Sequence, residues 1–477
     1  MPPPQPPAHA DLKTPARKSP MTELCDLEAV ALRRLIGQRE ISPVELLRSC
    51  LARINKVNPT LNAITATCYD RARAEAEAAE RAVREGKPLG ALHGLPVGIK
   101  DLQETEGLKT TFGSPLYADY VPARDERTVA AVRAAGGIVI GKTNVPEFGA
   151  GGNSTNPVYG ATGNPFDATR TCGGSSGGSA AALAAGMVPI ATGSDTGGSL
   201  RLPAAFCGVV GHRPSPGLVP SERRPFGWAP ISVLGPMGRD VADTALLMSA
   251  MAASDDRDPL SGTLAANDSF FPLPPADLSD LRVAISTDLG FAPVDSGIRE
   301  SFNNAIARFK DVFGAVDFVD PPLGDADEIF DVQRALQFVA SHAGRPAEQK
   351  AKLGPNILAN VEQGLAMSVA QVARAQAAHS ALYRRFLAFM ADYDLLICPT
   401  VSVPPFPHSQ LYVDVIDGQP ARTYFHWLAL TYGLTLTAHP VITLPCGLDR
   451  TGTPFGIQLT GRRGGDRRLL ALAAALE

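Results

Sequence analysis

Residues 171–206 read TCGGSSGGSAAALAAGMVPIATGSDTGGSLRLPAAF. Two clusters of small residues frame the stretch, GGSSGGS at 173–179 and TGGS at 196–199. The Ala-rich run 180–186 predicts a short helix between them, with a strand after it. Glycine permits φ > 0 and lets one backbone pass close to another group. Two glycine–serine turns joined by a helix and a strand gather hydroxyls and backbone N–H groups around one point.

Outward from this stretch, helical and strand periods alternate. On its N-terminal side, GLPVGIKD (94–101) predicts a buried strand with Lys100 at its end. A helix over 125–135 leads to a strand over 137–142, and a Gly- and Asn-rich loop spans 143–172. Further upstream are helices over 23–37 and 70–86; between them Ser42-Pro43-Val44-Glu45 has the form of a capping box with Pro at the first helical position. Downstream, a loop over 219–237 carries Trp228, a helix spans 239–252, and strand 282–286 precedes helix 297–312. Residues 325–391 read as helical throughout. Strands follow at 394–400, 441–447 and 455–461, the last two as a hairpin, and helix 466–477 ends the pattern. This alternation predicts an α/β fold with a largely internal sheet. No polar linker divides it, so 21–477 is read as one domain with a helical excursion near 325–391.

Composition narrows the function classes. The 477 residues are 45% hydrophobic and 19% charged, with a net charge of −4, which does not suggest nucleic acid as a partner. The seven cysteines are scattered with no CxxC, so neither a disulfide framework nor a zinc site is expected, and a reducing, cytoplasmic setting is. Residues 1–20, MPPPQPPAHADLKTPARKSP, lack the apolar core of a secretory signal and read as a disordered tail. No run of about 18 uncharged apolar residues predicts a membrane span.

Three positions have chemistry that the pattern alone leaves open. Ser199 follows two glycines, and glycine-rich N–H groups can form an anion-binding concavity; the same TGGS also suits a plain strand-to-helix turn. Ser176 is the centre of a GxSxG match, the elbow of many serine hydrolases, or part of a tight turn. Lys100 is either a surface lysine or a buried amine whose lowered pKa makes it a base, and Asp101 beside it suits a turn or an ion pair. A phosphate loop is excluded by the lack of a following Lys-Ser or Lys-Thr.

In combination, GIKD, GGSSGGSAAALAAG and GSDTGGSLRLPAAFCGVVG resemble the amidase signature family of serine hydrolases, and GTPFGIQLTGR is similar to its closing strand. The spacings agree: 75 residues from Lys100 to Ser175 and 24 from Ser175 to Ser199. The resemblance implies a mixed central β-sheet covered by helices on both faces. It implies Ser199 as nucleophile, Ser175 as a bridging serine after a non-proline cis peptide, and Lys100 as base. Thr196, Gly197 and Gly198 then fall at the oxyanion-hole backbone positions. Ser176 supports Ser175 by hydrogen bonding, and Asp195 with Arg201 forms a charged pair under the loop. The eight histidines are left to structural roles.

The implied reaction needs no metal and no cofactor. It is hydrolysis of a small-molecule amide, with esters and carbamates as further substrates, by a monomer or homodimer of the aryl-acylamide or urethane hydrolase kind. The alternative is the glutaminase component of a tRNA-dependent amidotransferase; its SNLxRYDG-like segment is not found here. Specificity is expected from 143–163, 219–235 and 325–385. Gly149-Ala150-Gly151-Gly152 either widens the acyl site or allows a turn, and Phe226 and Trp228 are candidate walls of an apolar pocket.

Overall fold

The structure is a computed structural model that describes residues 23–224, 226–262 and 269–477; the tail expected at 1–20 lies outside the described residues. It is organised on an eleven-stranded sheet. Numbering the strands of this sheet alone, they are β1 Ile64–Thr67, β2 Pro96–Lys100, β3 Ile138–Thr143, β4 Ile190–Asp195, β5 Val210–Arg213 and β6 Val233–Gly238. The rest are β7 Arg282–Ile285, β8 Ala315–Phe318, β9 Leu395–Pro399, β10 Val441–Leu448 and β11 Pro454–Thr460. Their order is β1-β3-β2-β4-β6-β5-β10-β11-β9-β7-β8. β2 runs parallel to β3 and β4, and β7 runs parallel to β8 and β9. The other neighbours are antiparallel, so the sheet is mixed.

The helices are α1 Ala29–Gly37, α2 Pro43–Leu61, α3 Tyr69–Arg84, α4 Arg127–Ala134, α5 Gly177–Ala184, α6 Arg201–Cys207 and α7 Val241–Met251. They continue with α8 Ser296–Phe309, α9 Ala326–Phe338, α10 Ala347–Lys350, α11 Pro355–Leu365, α12 Val369–Phe389, α13 Ala429–Thr435 and α14 Asp466–Leu476. They cover both faces of the sheet. Along β3, Ile138 and Ile140 belong to one apolar cluster and Val139 to another; along β4, Ala191 and Ile190 divide the same way. Neighbouring residues of a strand point to opposite faces, so each face has its own core. One core takes Leu51 and Ile54 of α2, Ala72 and Ala76 of α3, and Ala180 and Leu183 of α5. The other takes Leu32 of α1, Val129 of α4, Leu247 of α7, Phe302 of α8 and Phe330 of α9.

The local signals act as their chemistry requires. Ser42 caps α2: its Oγ accepts the Glu45 N–H at 3.1 Å, and its own N–H donates to Glu45 Oε2 at 2.8 Å. β10 and β11 form the expected antiparallel hairpin, with Ile442 opposite Leu459. The span 325–391 is α9 to α12 with a π-helical turn at Val339–Ala343. Four strands of the sheet, β1, β5, β6 and β8, are not among those the chain pattern predicts. The 219–237 loop runs into β6, whose VLGPMG sequence carries glycine and proline and so hides a strand that pairs with β4 along its whole length. β8, with the sequence AVDF, is a four-residue edge strand too short to show a period.

Candidate active site

Lys100 ends β2, and Ser194 and Asp195 end the parallel neighbour β4. Ser175 and Ser176 lie immediately before α5. Parallel strands place their carboxyl ends together, and there side chains from different strands can share one site. Lys100 is fully buried. Its Nζ lies 2.8 Å from Ser175 Oγ, 2.8 Å from Ser176 Oγ, 2.9 Å from Ser194 Oγ and 3.3 Å from the Ser194 carbonyl oxygen. Burial pulls the Lys100 pKa well below its ordinary value, against the opposing pull of the Asp195 charge. The Gly174–Ser175 peptide is cis.

Ser176 differs from its expected contact. Its Oγ meets Lys100 Nζ, the Ser194 carbonyl oxygen and the Ser194 N–H, so it holds the lysine rather than Ser175. α5 draws close to the chain after β3 because its glycines leave room: a Cβ on Gly178 would lie 2.2 Å from the Asn144 backbone nitrogen. Ser199 follows in the turn from β4 to α6 and lines one cavity of about 580 Å³ with Ser175 and Ser194. The structure thus brings Lys100, Ser175, Ser176 and Ser199 to one place.

Asp195 supports this turn from below. Its fully buried carboxylate accepts Arg201 Nε at 3.1 Å, Arg201 Nη2 at 3.0 Å and Arg213 Nη1 at 3.0 Å. It also accepts the N–H groups of Gly198 at 2.9 Å and Leu200 at 3.1 Å. Burial pushes the carboxyl pKa up, but Arg201 and Arg213 overcome this and hold it far below the usual range. Burial also pulls the Arg213 guanidinium down to about 10. Arg201 reaches on to Gln458 Oε1 at 3.0 Å and Thr435 Oγ1 at 2.9 Å, tying the turn to β11 and α13.

The Gly198 N–H is therefore already engaged, which narrows the expected oxyanion donors to Thr196 and Gly197. Gly198 has φ +122°, and a Cβ there would lie 2.2 Å from Thr431 Oγ1, which donates to the Gly197 carbonyl at 2.6 Å. Replacing Asp195 by asparagine would leave two buried guanidinium groups facing a neutral amide. The expected loss is about 3–5 kcal/mol of unfolding free energy, read by denaturant titration.

Some of these residues carried no motif. Ser194 is the third serine at Lys100, and only strand alternation hints at it, since it must face away from Asp195. Arg213, Thr431 and Thr435 had no signal in the chain pattern, and Gln458 stood in the GTPFGIQLTGR stretch only as part of a strand. Asp101 makes a turn: its carboxylate accepts the Thr111 hydroxyl at 2.6 Å and the Thr111 N–H at 3.2 Å, and burial raises its pKa to about 6.

The three expected segments all reach the cavity, through Phe148 and Gly149, through Arg223 and Ser232, and through α9 and the turn after it. Its aromatic wall is not the expected one. Trp228 is 78% exposed and Phe226 39% exposed. The wall is Phe112, Tyr117, Tyr120, Phe148 and Phe338, with the Arg345 guanidinium over Tyr117 and Phe148 at 5.7 and 5.5 Å. His342 also lines it, packed edge-on to Phe148, and burial draws its pKa down to about 4.

A family model described as Amidase matches residues 45–470. The chain belongs to the amidase family. Within that family, an acylamidase of Rhodococcus erythropolis is 35% identical over 459 residues, covering 94% of this chain and 95% of the relative. The crystal structure of a bacterial aryl acylamidase, one of the amidase signature enzymes, superposes with a TM-score of 0.88 at 29% identity, covering 94% of this chain and 96% of that one. A component of the glutamyl-tRNA(Gln) amidotransferase of Chloroflexus aurantiacus is 33% identical over 481 residues, covering 96% of this chain and 97% of the relative. The amidase fold thus accounts for the mixed sheet and for the placement of both glycine–serine turns. Among the described residues of this amidase, no helix is long and apolar enough to cross a membrane.

Proposed function

We propose that the chain is a stand-alone serine amidohydrolase that cleaves the C–N bond of small amides through an acyl-enzyme on Ser199. The observation that carries this reading is the buried Lys100 amine, 2.8 Å from Ser175 Oγ and with its pKa drawn down by burial. Neutral Lys100 takes a proton from Ser175, which takes one from Ser199. Ser199 Oγ attacks the amide carbonyl, and the N–H groups of Thr196 and Gly197 receive the oxyanion. The proton returns through Ser175 to the leaving nitrogen as the C–N bond breaks. Water then repeats the attack, freeing the acid and restoring Ser199. Ser176 and Ser194 position the lysine, and Asp195 with Arg201 fixes the turn.

Carbamates and esters present the same carbonyl and belong to the proposed range. We read 21–477 as one domain, working as a monomer or homodimer, with 325–391 as an excursion that supplies pocket residues. Seven free cysteines support a cytoplasmic setting. The glutaminase reading, in which the chain works inside an amidotransferase complex, is kept for the amidotransferase relatives at similar identity. The acylamidase likeness and the aromatic wall favour the stand-alone enzyme.

A screen of the purified protein alone decides between them. It uses anilides, short amides, glutamine, p-nitrophenyl esters and aryl carbamates. Turnover of anilides without a partner is expected. Glutamine hydrolysis that appears only with an added partner protein would overturn the stand-alone reading.

A further inference from the structure

The cavity in front of Ser199 contains polar groups that the hydrolytic steps leave unused. α9 brings Arg334 and Gln337 to it, three residues apart and so on one helix face. Both side chains are deeply buried, at 6% and 9% exposure. The Arg334 guanidinium lies against Phe338, Phe425 and Tyr424 at 5.0, 5.0 and 5.4 Å, and its Nη2 donates to Tyr424 Oη at 2.5 Å. Its Nε is buried without a hydrogen-bond partner among the described residues. Of the acids on its own helix, Asp327 and Asp331 are paired with Arg422 instead, and Glu328 is exposed. Gln337 Oε1 accepts from Ser232 Oγ at 3.1 Å, and Ser232 Oγ shares a hydrogen bond with Thr196 Oγ1 at 2.7 Å. That chain links Gln337 to the nucleophile's own turn, while Gln337 Nε2 is also buried without a partner among the described residues.

Charge separates the ligands that could use these donors. Among the described residues, three arginines line the cavity, Arg223, Arg334 and Arg345, against one acid, Glu104, which pairs with Arg223. A buried polar group is costly unless something completes it, and a buried charge more so. A neutral carbonyl would take up the spare N–H groups and leave the positive surplus. A carboxylate satisfies both, because its two oxygens accept from two donors and carry the opposite charge.

We propose that the cavity takes amides that carry a carboxylate away from the scissile bond, received by Arg334 and Gln337, with the aromatic wall packing the apolar part between. This rests on the amide-hydrolysis reading and adds a substrate class to it.

The test compares matched substrates on the purified protein: succinanilic acid beside butyranilide, and 4-acetamidobenzoate beside acetanilide. One pair places the acid on the acyl side and the other on the amine side. At least one acid is expected to exceed its neutral partner about tenfold or more in kcat/KM, chiefly through KM. Arg334→Met is expected to collapse that ratio by a similar factor. Gln337→Glu, which sets a like charge against the substrate, is expected to lower it independently, and decides the matter if Arg334→Met does not fold. Equal turnover of acid and neutral partners by the wild type, or a ratio unchanged in the folded variants, would overturn the proposal and leave the amidase reading standing. Failure to hydrolyse any of the four anilides would remove the amidase reading, and this proposal with it.

Discussion

Ser199→Ala is expected to lower kcat by roughly 10³–10⁶-fold on any anilide the wild type accepts, with the fold intact. The variant loses only an Oγ from a turn held by other groups, namely Asp195 through the Gly198 and Leu200 N–H groups and Arg201 through Gln458 and Thr435. Its thermal midpoint should therefore stay with the wild type. With a p-nitrophenyl ester the early burst of nitrophenol, one equivalent per site, should vanish together with the steady rate, because both report attack by the same oxygen. Residual turnover within tenfold of wild type would remove Ser199 from the nucleophile's role. An inactive Ser176→Ala beside an active Ser199→Ala would assign it to the GxSxG serine.

Lys100→Met is expected to cost about 10²–10⁴-fold in kcat, the range of a lost general base. Methionine matches the stem length and removes the amine from among Ser175, Ser176 and Ser194. Since base and nucleophile act as one unit, adding Lys100→Met to the Ser199→Ala variant should cost little more, which a double-mutant cycle would show. The pH dependence has a definite sign. The amine must be neutral to accept a proton, so kcat/KM falls as pH drops through the lowered Lys100 pKa and levels off above it. Stability follows the same group. The unfolded lysine keeps its proton up to about pH 10.4 while the folded one releases it earlier. Across that window the unfolded state binds more protons, so stability rises with pH. In the methionine variant both the acid limb of activity and this part of the stability slope should be missing. An unchanged acid limb would mean that another group serves as base.

Much of the site was legible because its parts are local. TGGS, GGSSGGS and GIKD each bring a functional atom and the glycines or strand that place it within a few residues. The capping box at Ser42 and the hairpin before α14 were legible for the same reason. The cavity wall was not. Phe112 and Tyr117 meet Phe148, which meets His342 far along the chain, beside Phe338, and no period along the chain encodes such a meeting. The wall exists because the sheet order brings the ends of β2 and β4 beneath the α9 turn. Trp228 misled because aromatic character says nothing about the direction of a surface loop. Ser194 was hidden by its neighbour: Asp195 drew the reading, and the residue beside it on the strand faces the lysine.

Strand order also decides what holds the site together. β10 and β11 are the last two strands of the sheet in chain order, yet they lie inside it, between β5 and β9. Residues 1–300 hold Lys100, Ser175 and Ser199. They lack Gln458, which joins Arg201 to the Pro399 and Leu430 carbonyls. Without residues 441–460 the sheet would be in two pieces and the floor of the Ser199 turn would be open. The support of that turn is thus borrowed from a hairpin distant in sequence, which also joins the two halves of the sheet.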